Sequence, residues 1–271
     1  MDKRNQSAER MVLERKDIAC TLKSHIGRYV FAGQFVKGMV VLDIACGVSY
    51  GSAYLIDKGA KAVIGGDYSA EAIESGRLHY QKDGIHLLRC DAQQMPFGDD
   101  SFDVVVSMET IEHLERYDDF LKECYRVIKE NGIFICSTPN REARIAYKSV
   151  YHFREFSAYE LRQLIERHFT RVRLYGQGYP GKLAILKKSL LRRLKFVYRF
   201  IPHRVVVAIY TTIFERFIFP QRRHRISLSD IDPESEAKYE GIIEESYLPS
   251  QLTTDSTHAE GIIVVASKRK T

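Results

Sequence analysis

Three aspartates follow short apolar runs in the first third of the chain, and their chemistry suits one kind of ligand. Asp43 comes after a run of valine and leucine, Asp67 lies 24 positions further on, and Asp91 follows the next such run. If the runs are parallel strands, the acids lie together at the carboxyl edge of one sheet. A carboxylate there attracts a cation, accepts both hydrogen bonds of a vicinal diol and repels phosphate.

The segment around the first acid, VVLDIACGVSYG over residues 40–51, is typical of a buried strand that turns through small residues into a helix. Small residues let a ligand approach the backbone closely. The G-x-G-x-x-G pattern of dinucleotide sites is absent, because Ala45 and Ser49 occupy glycine-like positions. S-adenosylmethionine carries an ammonium, a sulfonium and no phosphate, so it fits this acid-tipped turn better than a dinucleotide does.

Strands and helices alternate through residues 40–175, which indicates an α/β fold. Strands are predicted at 40–43, 62–66, 86–89, 102–107, 133–137, 171–175 and 261–267. Helices are predicted at 52–58, 69–80, 117–129 and 157–168. Ser69 is the expected N-cap of its helix, and Ser157 with Glu160 has the capping-box pattern. Residues 130–132 are predicted to form a turn, and 226–258 a polar loop.

Composition restricts the setting of the protein. The 271 residues, 45% of them hydrophobic, suffice for one large α/β domain with an insertion. The five cysteines are scattered and form no C-x-x-C pair, which favours a reducing compartment. No secretory signal and no apolar run near the ~20 residues of a membrane span is visible. We therefore expect a cytoplasmic protein, with the inner face of the membrane as an alternative location.

The predicted domains are an N-terminal helical cap (1–37), a core (38–180 and 259–271) and a basic helical insertion (181–258). From Lys182 to Arg225 there are twelve Lys or Arg and one acid, Glu215, interleaved with aromatic and aliphatic residues. Three functional interpretations stay open: the insertion holds an anionic acceptor, lies on an anionic membrane surface, or binds RNA phosphates. Nucleic acid is the least favoured of these. A lid with a merely solvated basic face is the alternative.

Taken together, these segments resemble class I S-adenosylmethionine-dependent methyltransferases. The motifs that carry the resemblance are VLDIACGVSYG, GGDYS, LLRCDAQQMPF, SFDVVVSMETIEHL and GIFICSTPN. The resemblance implies a Rossmann-like sheet of seven strands, mostly parallel with an antiparallel last strand, and helices on both faces. It also implies S-adenosylmethionine as the cofactor.

Carried over residue by residue, the resemblance implies a set of cofactor-binding positions. Those nearest the methionine part would be Asp43, Ala45 and Gly47, with Arg28 and Tyr29 as candidates for its carboxylate. The ribose would be held by Asp67, with Tyr68 beside it, and the adenine by Asp91 and Ala92. Ser107 would lie beneath the sulfonium.

Glu109, Glu112 and His113 follow the fourth strand, where the methyl acceptor should approach, and His152 follows the fifth. This pattern resembles the metal site of the small-RNA 3′-terminal ribose methyltransferases, which implies a divalent ion, Mg²⁺ or Mn²⁺, on these four residues. Alternatively, His113 or His152 acts as a general base, with Glu112 beside it. Purely structural roles are the third possibility.

The segments YHFREF and VRLYGQG resemble bacterial methyltransferases of surface-polysaccharide and other glycan assembly. The leading prediction is therefore an O-methyltransferase that acts on a sugar or glycan hydroxyl, lipid-linked or nucleotide-linked. The alternatives are an RNA 2′-O-methyltransferase, another small-molecule methyltransferase, and a catalytically silent, cofactor-binding partner protein at the membrane.

Overall fold

The computed structural model describes residues 17–142, 151–177, 252–253, 259 and 261–268. These all belong to one compact unit, residues 1–178 and 240–271. The basic stretch from Lys182 to Arg225 lies outside the described residues, and so does most of the predicted insertion. No helix among the described residues is long and apolar enough to cross a membrane.

One mixed sheet forms the centre of the described unit. Its strands are β1 (Val40–Ile44), β2 (Ala62–Asp67), β3 (Ile85–Arg89), β4 (Phe102–Met108), β5 (Ile128–Pro139), β6 (Thr170–Gln177), β7 (Leu252–Thr253) and β8 (Gly261–Ser267). The strand order is β3-β2-β1-β4-β5-β8-β6-β7. The first five strands pair in parallel, and β8 runs antiparallel to both β5 and β6. The predicted Rossmann-like sheet with an antiparallel last strand is confirmed.

The helices are α1 (Asp17–Ala32), α2 (Tyr50–Asp57), α3 (Ala70–Tyr80), α4 (Tyr117–Val127) and α5 (Ala158–Ile165), with 3-10 turns at Gly33–Phe35 and Ile111–His113. Two predicted caps are confirmed. The Ala72 amide donates to Ser69 Oγ at 3.2 Å, and Ser157 and Glu160 form a full capping box. Each cap satisfies amides that a helix start would otherwise leave without a partner.

Helices cover both faces of the sheet. Leu42 of β1 belongs to one apolar cluster, with Phe120 of α4 and Leu161 of α5. Val41, its neighbour along the strand, belongs to another, with Leu55 of α2. Because successive strand residues point to opposite faces, the two clusters lie on the two sides of the sheet. The sheet is thus buried from both sides, and its carboxyl edge is where the loops can form a site.

The structure differs from the sequence prediction in two strands. Residues 130–132, predicted as a turn, lie within β5, where the pairing with β4 shifts register between Phe102 and Val104. Asn131 has a left-handed φ of 64°, so the shift is absorbed as a bulge rather than as a strand break. In the predicted 226–258 loop, Leu252–Thr253 pair with β6 as a two-residue edge strand. Neither pairing is visible in local hydrophobic periodicity.

Candidate active site

The chain order reverses between β1 and β4, and ligands of open α/β sheets bind at such a switch point. The turn that leaves β1 there has three left-handed residues: Ala45 (φ 60°), Gly47 (φ 57°) and Ser49 (φ 71°). The predicted glycine-like positions thus keep a glycine-like backbone although two carry side chains, at a strain of roughly 1–2 kcal/mol each. A Cβ placed on Gly47 would meet no atom within 4 Å, so this side of the turn is open to a ligand.

Asp43 is fully buried beneath this turn. Its carboxylate accepts hydrogen bonds from the hydroxyls of Tyr29 (3.1 Å) and Ser52 (2.7 Å). Burial raises the pKa of Asp43 to about 6, although both hydrogen bonds favour the ionised form. Asp43 therefore ties α1 to α2 and acts on the site through its charge. Tyr29, a predicted partner of the cofactor carboxylate, has its hydroxyl on Asp43 instead.

Asp67 connects the turn after β1 to the start of α3. One carboxylate oxygen accepts from the Gly47 amide at 2.9 Å and the other from the Ser69 amide at 2.8 Å. The two amides fix the orientation of this carboxylate at the edge of the sheet, where the sequence resemblance places the ribose. Tyr68 is 60% exposed beside it, with the Arg89 guanidinium over its ring.

Asp91 lies just past the end of β3, where its Oδ1 accepts from the Gln93 amide at 2.8 Å. Ala92 and Met95 are buried next to it, and Phe97 packs against the same apolar cluster. The three aspartates thus follow three adjacent strands, as predicted. Whether they bind the cofactor stays a prediction from the sequence.

At the end of β4, two buried polar atoms have no hydrogen-bond partner among the described residues: Ser107 Oγ and Arg28 Nη1. Arg28 is otherwise held in place, because its Nε donates to Gln177 and its Nη2 lies 3.3 Å from Glu109 Oε1. A buried donor without a partner is costly, so both atoms suit a bound polar ligand. For Arg28 that ligand would be the cofactor carboxylate. Gln177 was not foreseen, because nothing local marks it.

Glu109 belongs to this arginine network. Its left-handed φ of 51° marks strain at the end of β4. The Ser137 hydroxyl donates to its Oε1 at 3.2 Å, and the Glu109 amide donates to the Ser137 carbonyl. Of the four predicted metal ligands, Glu109 is thus the one engaged by Arg28.

The other three predicted ligands come together. One ligand atom from each of Glu112, His113 and His152 lies within 4.8 Å of the others. The two imidazole rings meet edge to face, with centroids 4.8 Å apart. We call these three residues the Glu–His cluster. Glu112 and His113 lie on the 3-10 turn after β4, whereas His152 arrives from the segment after β5. The fold therefore joins residues that are about 40 positions apart.

Glu112 is almost completely buried within the Glu–His cluster. Its Oε2 accepts from the Thr138 hydroxyl at 2.9 Å, and its Oε1 has no hydrogen-bond partner among the described residues. Burial, assisted by the nearby charge of Glu109, raises the pKa of Glu112 well above its usual range. The carboxyl group therefore favours a proton or a cation at Oε1.

Both imidazoles are oriented through Nδ1. His113 Nδ1 lies 3.1 Å from the Tyr151 carbonyl oxygen, and His152 Nδ1 lies 3.1 Å from Glu155 Oε1. A carbonyl or carboxylate oxygen can only accept a hydrogen bond, so Nδ1 must be the donor in each ring. In the neutral tautomer the hydrogen is therefore on Nδ1, and Nε2 carries the lone pair. Sequence reasoning missed Tyr151 and Glu155 in these roles, although the three-residue spacing of Glu155 from His152 was a weak signal.

Comparison with known proteins agrees with this architecture. Residues 42–136 match the family model described as a methyltransferase domain. This match agrees with the class I S-adenosylmethionine-dependent methyltransferase expected from the sequence, and S-adenosylmethionine is the cofactor that the methyltransferase relatives support. A solved methyltransferase from Thermotoga maritima, described as a possible histamine N-methyltransferase, has the same fold. Its TM-score is 0.56 at 17% identity, covering 96% of this chain and 99% of that one.

The first curated relatives match about half of this chain. A probable S-adenosylmethionine-dependent methyltransferase of Mycolicibacterium smegmatis is 36% identical over 133 residues, which cover 48% of this chain and 51% of that protein. A malonyl-[acyl-carrier protein] O-methyltransferase of Methylococcus capsulatus is 27% identical over 194 residues, covering 64% of this chain and 69% of that protein. The chain spans about half the length of the first curated relatives it matches.

Proposed function

We propose that this protein is an S-adenosylmethionine-dependent O-methyltransferase. The acceptor hydroxyl attacks the sulfonium methyl in line, an O–C bond forms as the S–C bond breaks, and the hydroxyl proton is released. Two named groups of relatives support an oxygen acceptor. These are the malonyl-[acyl-carrier protein] O-methyltransferase and a ubiquinone biosynthesis O-methyltransferase of Chelativorans, 32% identical over 120 residues, 44% of this chain and 47% of that protein.

The observation that carries the proposal is the Glu–His cluster beyond the end of β4. A hydroxyl is a poor nucleophile until its proton is removed or its acidity is raised, so an O-methyltransferase needs a basic or cationic centre at the acceptor. Two imidazoles oriented through Nδ1 and a buried carboxyl group supply such a centre. These three residues are the proposed catalytic groups.

A sugar or glycan hydroxyl, nucleotide-linked or lipid-linked, is the proposed acceptor. The resemblance of residues 137–178 to glycan-associated methyltransferases supports it. The basic composition of residues 182–225 supports an acceptor with an anionic carrier, and with it peripheral contact with the inner membrane face.

The divalent ion implied by the sequence resemblance is part of the proposal. Glu112, His113 and His152 fit such an ion because their ligand atoms converge and Glu112 Oε1 lacks a hydrogen-bond partner among the described residues. A bound ion would lower the pKa of a hydroxyl at the site. Glu109 fits less well, since its carboxylate is engaged by Arg28 and Ser137.

The test is incubation of the purified protein with methyl-labelled cofactor and panels of nucleotide sugars, lipid-linked glycans, RNA and amines. We expect label in the sugar panels, located on oxygen by mass spectrometry. Transfer only to amines or carbon overturns the proposal, and transfer to RNA replaces the acceptor class with a ribose 2′-hydroxyl. Cofactor binding without any transfer would favour the silent partner protein.

A further inference from the structure

We infer that the Glu–His cluster is a two-histidine, one-carboxylate site for a divalent transition-metal ion, with three protein ligands and open positions for the acceptor. This inference deepens the proposed function and rests on it for the role of the open positions. It changes the ion and the ligand set that the sequence resemblance implies. Glu109 is not a ligand, and Mg²⁺ is not the preferred ion.

The first argument is convergence. The three ligand atoms lie within 4.8 Å of one another. Metal–ligand bonds to imidazole nitrogen and carboxylate oxygen are about 2.0–2.2 Å, so two ligands of one ion can be up to about 4 Å apart. Side-chain adjustments of less than about 1 Å therefore bring Glu112, His113 and His152 onto a single ion.

The second argument is the unsatisfied carboxylate oxygen. Glu112 is about 1% exposed, and its Oε1 has no hydrogen-bond partner among the described residues. Leaving a carboxylate oxygen buried in this way is costly, and coordination of a cation removes the cost. The same carboxylate is held from its other oxygen by Thr138, which leaves Oε1 as the coordinating atom.

The third argument is the outer layer of contacts. Metal-binding histidines usually donate the second ring N–H to a carbonyl or a carboxylate, which fixes the tautomer and aims the other nitrogen at the metal. His113 has the carbonyl of Tyr151 in that position, and His152 has the carboxylate of Glu155. All three side chains of the cluster thus have an orienting partner.

The ligand types select the ion. Mg²⁺ prefers oxygen ligands in octahedral geometry, whereas imidazole suits first-row transition metals. Glu109, the additional carboxylate that would favour Mg²⁺, is bound to Arg28 and Ser137. Three protein ligands also leave coordination positions that two adjacent hydroxyls can occupy. The preferred acceptor is therefore a vicinal diol.

The test is titration of the untagged, metal-free protein with Co²⁺, which reports its coordination through visible absorption. We expect one saturable Co²⁺ site, displaced by Zn²⁺ and by an excess of Mn²⁺ but not by equal Mg²⁺. Glu112→Gln and His113→Asn should weaken binding by at least about tenfold, and Glu155→Gln, in the outer layer, by about 10–100-fold. Glu109→Gln, which removes a nearby negative charge but no ligand, should weaken binding much less than Glu112→Gln, and His79→Asn, an exposed helical histidine, should leave it unchanged.

Several results would overturn the inference. They are absence of saturable Co²⁺ binding, equal competition by Mg²⁺, loss of binding in Glu109→Gln, or full binding in Glu112→Gln and Glu155→Gln. Thermal unfolding of each variant separates lost folding from lost ligands. Methyl transfer that persists in chelator without Co²⁺ binding refutes the metal site and keeps the O-methyltransferase proposal. Co²⁺ binding without transfer to any hydroxyl keeps the metal site and refutes the O-methyltransferase proposal.

Discussion

Two regions at the carboxyl edge of the sheet are built in different ways. On the predicted cofactor side, Asp67 and Asp91 accept hydrogen bonds from amides of the turns after β1, β2 and β3. In the Glu–His cluster, after β4 and β5, two of the three orienting contacts, Thr138 to Glu112 and Tyr151 to His113, join segments 26 and 38 positions apart. The predicted cofactor side is thus supported by backbone amides of the turns, while the cluster depends on side chains brought together by tertiary packing. Substitutions should therefore separate cofactor binding from transfer.

The largest effect is expected for His113→Asn. Loss of this oriented imidazole should reduce methyl transfer by about 10²–10⁴-fold, because proton removal from the hydroxyl is no longer assisted. The dissociation constant of S-adenosylmethionine, measured by calorimetry, should change less than about twofold. His168→Asn, which affects only a partly exposed pair with Asp118, is the control. A comparable loss of cofactor affinity in His113→Asn would mean that the two sides are not separable.

Asp67→Asn should have the opposite profile. The substitution weakens two hydrogen bonds to a carboxylate, those from Gly47 and Ser69, at roughly 1.5–3 kcal/mol each at most. Cofactor affinity should fall about 10–100-fold, while the rate at saturating cofactor changes little. Asp57→Asn, in an exposed ion pair with Lys82, serves as the matched variant. Unaltered affinity in Asp67→Asn would remove this residue from the cofactor side.

Gly51→Ala tests the packing under the turn. A Cβ at this position would overlap the Tyr29 ring, so Tyr29 would have to leave Asp43. We expect the free energy of unfolding to fall by about 1–3 kcal/mol, measured by urea denaturation. Gly98→Ala, whose added Cβ would lie 3.6 Å from Ser101 Oγ, should be close to neutral. Equal stability of the two variants would contradict the close packing.

The pH dependence of stability should report Asp43. Its pKa is about 6 in the folded protein, above the unfolded value of about 3.9, so the folded state holds this proton more tightly. Its contribution to the free energy of unfolding therefore falls as pH rises from about 4 to 6, by up to about 3 kcal/mol, and is constant above. The free energy of unfolding of the unsubstituted protein, relative to that of Asp43→Asn, should fall across that window. A relative free energy that rises with pH would contradict a raised pKa of Asp43.

The smallest effect concerns backbone strain in the turn. Ala45→Gly relieves the strain of a left-handed alanine, which stabilises the folded state by about 1 kcal/mol. It also gives the unfolded chain more conformational freedom, which lowers the free energy of unfolding by about the same amount. Stability should stay within about 0.5 kcal/mol. Ala53→Gly, inside α2, should instead lose about 1 kcal/mol. If Ala45→Gly were equally destabilising, the left-handed residue would not be the strained one.

The sequence by itself determined the alternation of parallel strands and helices, the acid at the end of each of three strands and the caps of α3 and α5. Each of these follows from contacts within a few residues, or from parallel pairing of successive strands. The bulge at Asn131 and the edge strand Leu252–Thr253 could not be predicted from the sequence, because the strands they pair with lie far away along the chain.

Tertiary structure alone decided which acids and histidines meet. By spacing, Glu109 and Glu112 were equivalent candidate metal ligands, but in the fold Arg28 of α1, held by Gln177 of β6, pairs with Glu109. Packing of the segment after β5 brings His152 to Glu112 instead. The orienting roles of Tyr151 and Glu155 depend on the same packing. Such contacts form between segments that share no local pattern, so only the folded chain fixes them.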